Sequence, residues 1–139
     1  MLLLDTNVVS EVFKSQTHRA DRKVLAWAKK VDSSLLFLSV ITLYELEMGT
    51  RRMEHRDPRQ GALLRAWTLD RILPVFAGRI LSITPEVAMR CASLHVPNPA
   101  PFRDSFIAAT ALVHGMTVVT RNVADFEHSG LKTLNPWRT

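Results

Sequence analysis

Four acidic residues lie far apart in the chain, each beside a predicted junction between a strand and a helix. They are Asp5 in MLLLDTNVVSE, Glu45 in TLYELEMG, Asp104 in FRDSFIAATAL and Asp125 in VTRNVADFE. Carboxylate oxygens are the ligands that Mg2+ prefers, and loops at the carboxyl edge of a parallel sheet can bring them together. Gathered in one cleft, these carboxylates would repel one another unless a cation neutralised them. The set therefore predicts a metal site and metal-assisted hydrolysis.

Taken singly, each of these acids also has a purely structural interpretation. Asp5 precedes a predicted helix and would serve as its N-cap, and Asp125 would cap the turn that follows it. Asp104 lies in the first turn of a predicted helix, where the helix dipole favours a carboxylate. Glu45 and Glu47 lie on different faces of their helix, and periodicity does not decide which of them serves a site.

Polar residues beside two of the acids are predicted to support the site. Thr6 and Asn7 follow Asp5, while Thr120 and Asn122 follow a strand end and lie within reach of the same edge. No Ser-His-Asp or Cys-His nucleophile competes with the acids, because the single cysteine falls at the apolar spacing of a helix core.

The elements that must position these residues alternate between strands and helices. The pattern predicts strands at 1–4, 35–40, 79–83, 116–120 and 131–134, and helices at 8–13, 19–30, 42–52, 57–76, from 85 to the prolines at 97–101, and 102–114. The cap of the first helix is assigned to Thr6 and Asn7, and that of the third to Thr42. Such alternation predicts an α/β fold with a central, mainly parallel sheet and helices on both faces, a three-layer α/β/α sandwich.

The length and composition of the chain favour a single-domain protein without disulfides or a membrane span. The length of 139 residues and 47% apolar content predict one domain over residues 1–139 with a core of its own. Cys91 alone permits no intramolecular disulfide and no thiolate zinc site, which indicates a reducing, cytoplasmic setting. The N-terminus lacks a signal-peptide pattern and no apolar run reaches the ~20 residues of a spanning helix, so no membrane association is expected.

The chain is basic despite its acidic constellation. A net charge of +5 favours a polyanionic partner such as RNA or DNA, although a basic composition without a specific purpose is the alternative. A cluster of arginines is predicted to bind the phosphates of an RNA backbone; the alternative is that these residues form a solvated helix face. The cluster comprises Arg51, Arg52, Arg56 and Arg59. The tryptophans Trp27, Trp67 and Trp137 are predicted to pack in the core or an interface rather than to stack on bases.

Four motifs occur in order along the chain: LLLDTNVVSE, TLYELEMG, RDSFIAATAL and TVVTRN, with NPW near the end. Together they resemble those of PIN-domain ribonucleases of the VapC toxin group, particularly the FitB-like branch. The resemblance covers essentially the whole chain. It implies that Asp5, Glu45, Asp104 and an acid after TVVTRN bind Mg2+ or Mn2+ and support RNA cleavage. Relatives often have Asp where this chain has Asn122, so either Asn122 or Asp125 fills the fourth position.

The resemblance also implies partners. Such toxins pair with a small DNA-binding antitoxin that covers the active site, often with an arginine in the acidic pocket, and they reach operator DNA through it. A homodimer is implied, or a dimer of heterodimers or larger assembly with the antitoxin. The apolar helix faces at 43–53 and 63–73 would receive the antitoxin or the second subunit, or would belong to the core.

Two rival functions stay open at this point. One is a catalytically weak PIN fold that acts mainly as the partner of a DNA-binding antitoxin in transcriptional regulation, which the departure at Asn122 favours. The other is a hydrolase of small phosphoesters. The basic composition disfavours it, as does the sequence Asp5-Thr6-Asn7, which is not a nucleophilic Asp-x-Asp pair.

Overall fold

A five-stranded parallel sheet forms the centre of the protein. The computed structural model describes residues 1–13, 20–128 and 130–138. The strands lie in the order β3-β2-β1-β4-β5, and every neighbouring pair is parallel. They are β1 (Leu2–Leu4), β2 (Leu36–Ser39), β3 (Ile80–Leu81), β4 (Thr117–Val119) and β5 (Lys132–Leu134). All strands therefore end at the same edge of the sheet, as the predicted fold class requires.

Helices connect the first four strands, and a 3-10 turn lies between β4 and β5. The helices are α1 (Thr6–Val12), α2 (Arg22–Lys30), α3 (Val40–Arg56), α4 (Pro58–Trp67), α5 (Leu73–Val75), α6 (Pro85–Ser93) and α7 (Phe102–His114). A π-helical turn (Thr68–Ile72) joins α4 to α5, and short 3-10 turns occur at Ser33–Leu35, Val123–Phe126 and Pro136–Arg138. Within the described ranges, no helix is long and apolar enough to cross a membrane.

The sheet is buried on both faces, because alternate residues of β1 enter different cores. Leu4 packs in a cluster with residues of α1 and α3 such as Val8 and Leu46. Leu3 packs in a second cluster with Ile107 and Ala108 of α7. Side chains of successive strand residues point to opposite faces, so a strand with apolar residues throughout requires cover on both sides. The predicted three layers are confirmed.

The predicted elements are found, but two predicted caps are wrong. Asp5, rather than Thr6 or Asn7, caps α1 and accepts a hydrogen bond from the backbone nitrogen of Thr6. The helix that carries Glu45 begins at Val40, where Ser39 Oγ accepts from the backbone nitrogen of Ile41 at 3.0 Å. The predicted cap Thr42 is buried inside the helix. The strand passes directly into the helix, so Ser39, the last residue of β2, supplies the cap.

Other boundaries also differ from the sequence pattern; α6, for example, ends at Ser93, before the prolines at 97–101. The predicted helix at 57–76 is interrupted by the π-helical turn, although Asp57 caps its start as expected. The start predicted at residue 19 lies outside the described residues, and α2 begins at Arg22 with Asp21 as its N-cap.

The predicted core assignments of cysteine and tryptophan are confirmed. Cys91 is buried in a cluster with Val87 of α6 and Ala109 of α7, where the two helices pack together. The three tryptophans are partly buried and pack against the cluster that contains Leu4.

Helices α3 and α4 form a hairpin that is held by the ion pairs of Arg65 and by a close backbone contact. Arg65 Nη1 lies 2.9 Å from Glu47 Oε1, and Arg65 Nε lies 2.9 Å from Glu54 Oε2. A Cβ atom at Gly61 would lie 2.5 Å from Glu54 Cα and 2.6 Å from its backbone nitrogen. The close approach of the two helices therefore requires glycine at position 61.

We predict that Gly61→Ala destabilises the protein by about 1–3 kcal/mol, because the added methyl group must push the backbone of α4 away from α3. Gly49→Ala is the matched control within α3, since a Cβ there meets no atom within 4 Å. It should stabilise the protein by up to about 1 kcal/mol through helix propensity. Urea denaturation of both variants measures the difference, and equal stabilities would contradict the tight contact.

Candidate active site

Asp5 is fixed at the carboxyl end of the central strand. Its backbone nitrogen donates to the carbonyl of Val119 at 2.9 Å, which continues the pairing of β1 with β4. Its side chain accepts from Thr6 N and Thr120 Oγ1, both at 2.8 Å, and from Asn7 Nδ2 at 3.4 Å. The pKa of the Asp5 carboxyl is raised, first by burial and also by the charges of Glu45 and Asp125, although the hydrogen bonds from Thr120 and Thr6 lower it. Three of the four predicted supporting residues therefore contact or orient the acids.

Glu45, and not Glu47, belongs to the acidic constellation. Its Oε1 atom accepts from Thr6 Oγ1 at 2.8 Å, across a separation of 39 residues. Glu47 instead pairs with Arg65 of α4 and Arg51 of its own helix, and these contacts lower its pKa. The structure settles a choice that helical periodicity left open.

Asp104 lies in the first turn of α7 and is half-buried. Its pKa is raised to about 6, first by burial and then by the charges of Asp5, Asp125 and Glu45. The other three predicted acids therefore lie close enough for their charges to act on Asp104. The chain thus gathers carboxylates from the ends of β1 and β4 and from α3 and α7.

The fourth predicted acid is the most exposed member of the set. Asp125 lies in the 3-10 turn after β4, and its charge raises the pKa of both Asp5 and Asp104. Asn122 is also exposed, and its backbone nitrogen donates to Thr120 Oγ1 at 3.0 Å. Asn122 therefore orients the threonine that holds Asp5, whereas Asp125 contributes charge to the site.

The chemistry of the donor set suits a hard divalent cation. The acids supply oxygen donors only, and their repulsion would be relieved by positive charge. Among residues 1–13, 20–128 and 130–138, no three Asp, Glu, His or Cys side chains form a group already close enough to hold a metal ion. A cation would therefore have to draw these side chains together.

The predicted arginine cluster lies farther along α3 and at the start of α4. Arg51 and Arg52 line a groove of about 550 Å³ together with residues that include Tyr44 and His55. At 1.5 Å per helical residue, Arg52 lies roughly 10 Å along the axis from Glu45. Arg56 and Arg59 are exposed beyond it. RNA binding by this cluster stays a prediction.

Arg103 is a charged residue of the site that the sequence reasoning missed. Its Nη1 atom lies 3.7 Å from Glu45 Oε2. The signal available in the sequence was its position directly before Asp104 in the motif RDSFIAATAL.

Residues 2–128 match the family model described as PIN domain. The chain belongs to the PIN domain family. Its relatives include "VapC ribonuclease Y4jK" of Sinorhizobium fredii, to which this PIN domain is 36% identical, with 99% of this chain and 98% of that protein covered. It is 35% identical to "Toxin FitB" of Neisseria gonorrhoeae, with 99% of each chain covered. The resemblance noted from the motifs is confirmed.

Solved structures show the same likeness in three dimensions. This PIN domain matches a chain of "FitAcB from Neisseria gonorrhoeae" with a TM-score of 0.88 and 33% identity, and each chain is covered in full. A chain in the "Structure of FitAB bound to IR36 DNA fragment" matches with a TM-score of 0.86 and 34% identity, with 99% of this chain and 96% of that chain covered.

We predict that Asp104→Asn stabilises the metal-free PIN domain above pH 6. The pKa of Asp104 rises from 3.8 to about 6 on folding, so the folded state binds more protons in that window and loses stability as pH rises through it. After allowance for partial solvent exposure, the gain at pH 7.5 should be about 1–2 kcal/mol.

Chemical denaturation from pH 4 to pH 8 measures this effect. The difference in free energy of unfolding between Asp104→Asn and the unsubstituted protein should change mainly between about pH 4 and pH 6. Asp70→Asn, at an exposed acid in the π-helical turn, is the control for removal of one negative charge. An equal gain in both variants would show that general charge, and not the acidic site, is responsible.

Proposed function

We propose that this PIN domain is the toxin of a toxin–antitoxin pair and a divalent-metal-dependent endoribonuclease. The observation that carries the proposal is the convergence of Asp5, Glu45 and Asp104, with the charge of Asp125, at the carboxyl edge of the sheet. Full-length likeness to proteins named VapC ribonuclease and FitB toxin supports the choice of RNA over other phosphodiesters. The basic net charge of +5 is consistent with a polyanionic substrate.

Asp5 and Asp104 are the residues best placed to hold Mg2+ or Mn2+. When bound, the cation supplies a Lewis acid that activates water and offsets the negative charge building on the phosphoryl group. Asp5 is kept in one orientation by Thr120 and Thr6. Glu45, oriented by Thr6, and Asp125 complete the donor set as ligands of a second ion or as acceptors of the proton of the attacking water.

We further propose that the chain forms a homodimer and binds a small DNA-binding antitoxin, through which it reaches operator DNA. Likeness to a chain of the FitAB structure bound to a DNA fragment supports the antitoxin and the operator DNA in this proposal. Exposed apolar side chains on α3 and α4, among them Tyr44 and Leu63, are available to a protein partner. The acidic pocket would accept an arginine of the antitoxin, because a guanidinium replaces the charge of the cation.

A catalytically weak PIN domain that acts mainly with a DNA-binding antitoxin is the second candidate. The observation in its favour is that, within the described parts of the chain, no three potential ligands already form a metal-binding group. This second candidate would bind metal without cleaving RNA at a measurable rate, so the cleavage experiment described next separates the two candidates.

We predict that the purified, antitoxin-free protein cleaves structured cellular RNA in Mg2+ or Mn2+ and not in EDTA. Asp5→Asn and Asp104→Asn should each lower the rate by more than about 100-fold. Residues that only support metal ligands typically contribute 10–100-fold, and loss of a ligand itself should cost more. Gel electrophoresis of end-labelled RNA measures the cleavage.

Asp70→Asn is the matched control, since it removes one exposed carboxylate outside the acidic site and should cleave at the unsubstituted rate. Folding of each variant is checked by circular dichroism, and its oligomeric state by light scattering. Equal cleavage by all variants would indicate a contaminating nuclease. Metal binding without cleavage of any RNA would favour the weak, regulatory PIN domain.

A further inference from the structure

Arg103 is a basic side chain in contact with the acidic site. Its Nη1 atom lies 3.7 Å from Glu45 Oε2, and its side chain is 44% exposed. Among the described residues, no other Lys, Arg or His lies within ion-pair distance of Asp5, Glu45, Asp104 or Asp125. Within the described part of the chain, Arg103 is therefore the one positive charge paired with the acidic edge, and its side chain reaches solvent.

The contact with Glu45 is loose enough to be exchanged. A separation of 3.7 Å exceeds the 2.7–2.9 Å of a strong charge-assisted hydrogen bond. Exposed ion pairs of this kind contribute little to stability, so opening the pair has a small cost. By contrast, the other oxygen of Glu45 is held by Thr6 at 2.8 Å. Glu45 can thus stay in place while Arg103 moves.

A divalent cation bound at these acids would compete with Arg103 for the carboxylate of Glu45. The guanidinium also acts on Asp104, whose pKa it lowers, so its charge is felt by more than one acid. A cation bound to these acids would repel the guanidinium and weaken its pair with Glu45. Since Arg103 precedes Asp104 in the first turn of α7, its displaced side chain would still lie beside the metal site.

We propose that Arg103 binds a phosphate oxygen of the RNA beside the metal site, and that its pair with Glu45 is the resting position that it leaves when a divalent cation binds. The inference rests on the proposed nuclease function. A guanidinium suits this role because it recognises phosphate with paired donors and stays charged. Beside the reacting phosphate it stabilises the charge that develops during cleavage.

If Arg103 moves from Glu45 to a phosphate when the cation binds, Arg103→Gln should strengthen metal binding and weaken RNA cleavage. Removal of the competing charge should tighten Mn2+ binding by about threefold or more, measured by calorimetry on the protein without RNA. The same substitution should lower kcat/KM on a defined RNA oligonucleotide by about 100-fold, as expected for loss of a donor to the developing charge. A merely structural role would not tighten metal binding.

Two further variants sharpen the test. Arg103→Lys keeps the charge without the paired donors, so it should bind Mn2+ like the unsubstituted protein and recover part of the lost kcat/KM. Arg90→Gln removes one positive charge from an exposed position of α6 and should change neither quantity. Thermal unfolding checks that all variants are folded.

The outcomes separate this inference from the nuclease proposal. Unchanged or weaker Mn2+ binding by Arg103→Gln would overturn the exchange, and unchanged kcat/KM would overturn the phosphate contact, even if the unsubstituted protein is an active nuclease. If the unsubstituted protein binds Mn2+ but cleaves no RNA, the nuclease proposal and the phosphate contact both fail. The Mn2+ affinities alone then decide whether Arg103 competes with the cation.

Discussion

Repulsion among carboxylates at one edge of the sheet is the constraint on which the functional site depends. Burial and neighbouring negative charges raise the pKa of Asp5 and Asp104, so the folded chain holds these groups at a cost in free energy. The surrounding structure offsets part of that cost with donors aimed at Asp5 from Thr6 and Thr120. Such an arrangement is unfavourable for a bare scaffold and suits one that accepts a cation.

The order of the strands explains why residues so distant in sequence meet. Strand β1 is central and pairs with both β2 and β4, so the ends of three neighbouring strands deliver Asp5, the start of α3 and Thr120 to one place. Because β2 passes into α3 at Ser39 without a loop, Glu45 falls in the second turn of the helix, within reach of Thr6. The carboxyl edge of a parallel sheet is where such folds place ligands.

Local features of the sequence predicted the elements and the acids, and long-range contacts account for what was missed. Apolar runs and helix signals identified the strands and helices because those patterns act over a few residues. The choice of Glu45 over Glu47 depends on Thr6, 39 residues away, and on Arg65 of the next helix. Arg103 was missed for the same reason, since its pair with Glu45 joins two elements that periodicity treats separately. The predicted caps Thr6 and Thr42 lie one and three residues after the observed caps Asp5 and Ser39, because sequence patterns define the ends of helices least precisely.

Helix α3 links the acidic site to the arginine-bearing surface. Its buried stripe of Thr42, Leu46 and Thr50 recurs every four residues and fixes the rotation of the helix against the sheet. That rotation directs Glu45 to the acids and leaves Glu47 to pair with Arg65 on α4. The two glutamates thus lie on different sides of α3: Glu45 faces the other acids, and Glu47 faces Arg65 of α4. The ion pairs of Arg65 and the close contact at Gly61 hold α4 against α3, the helix that also carries Glu45, so they support the site as well as the fold.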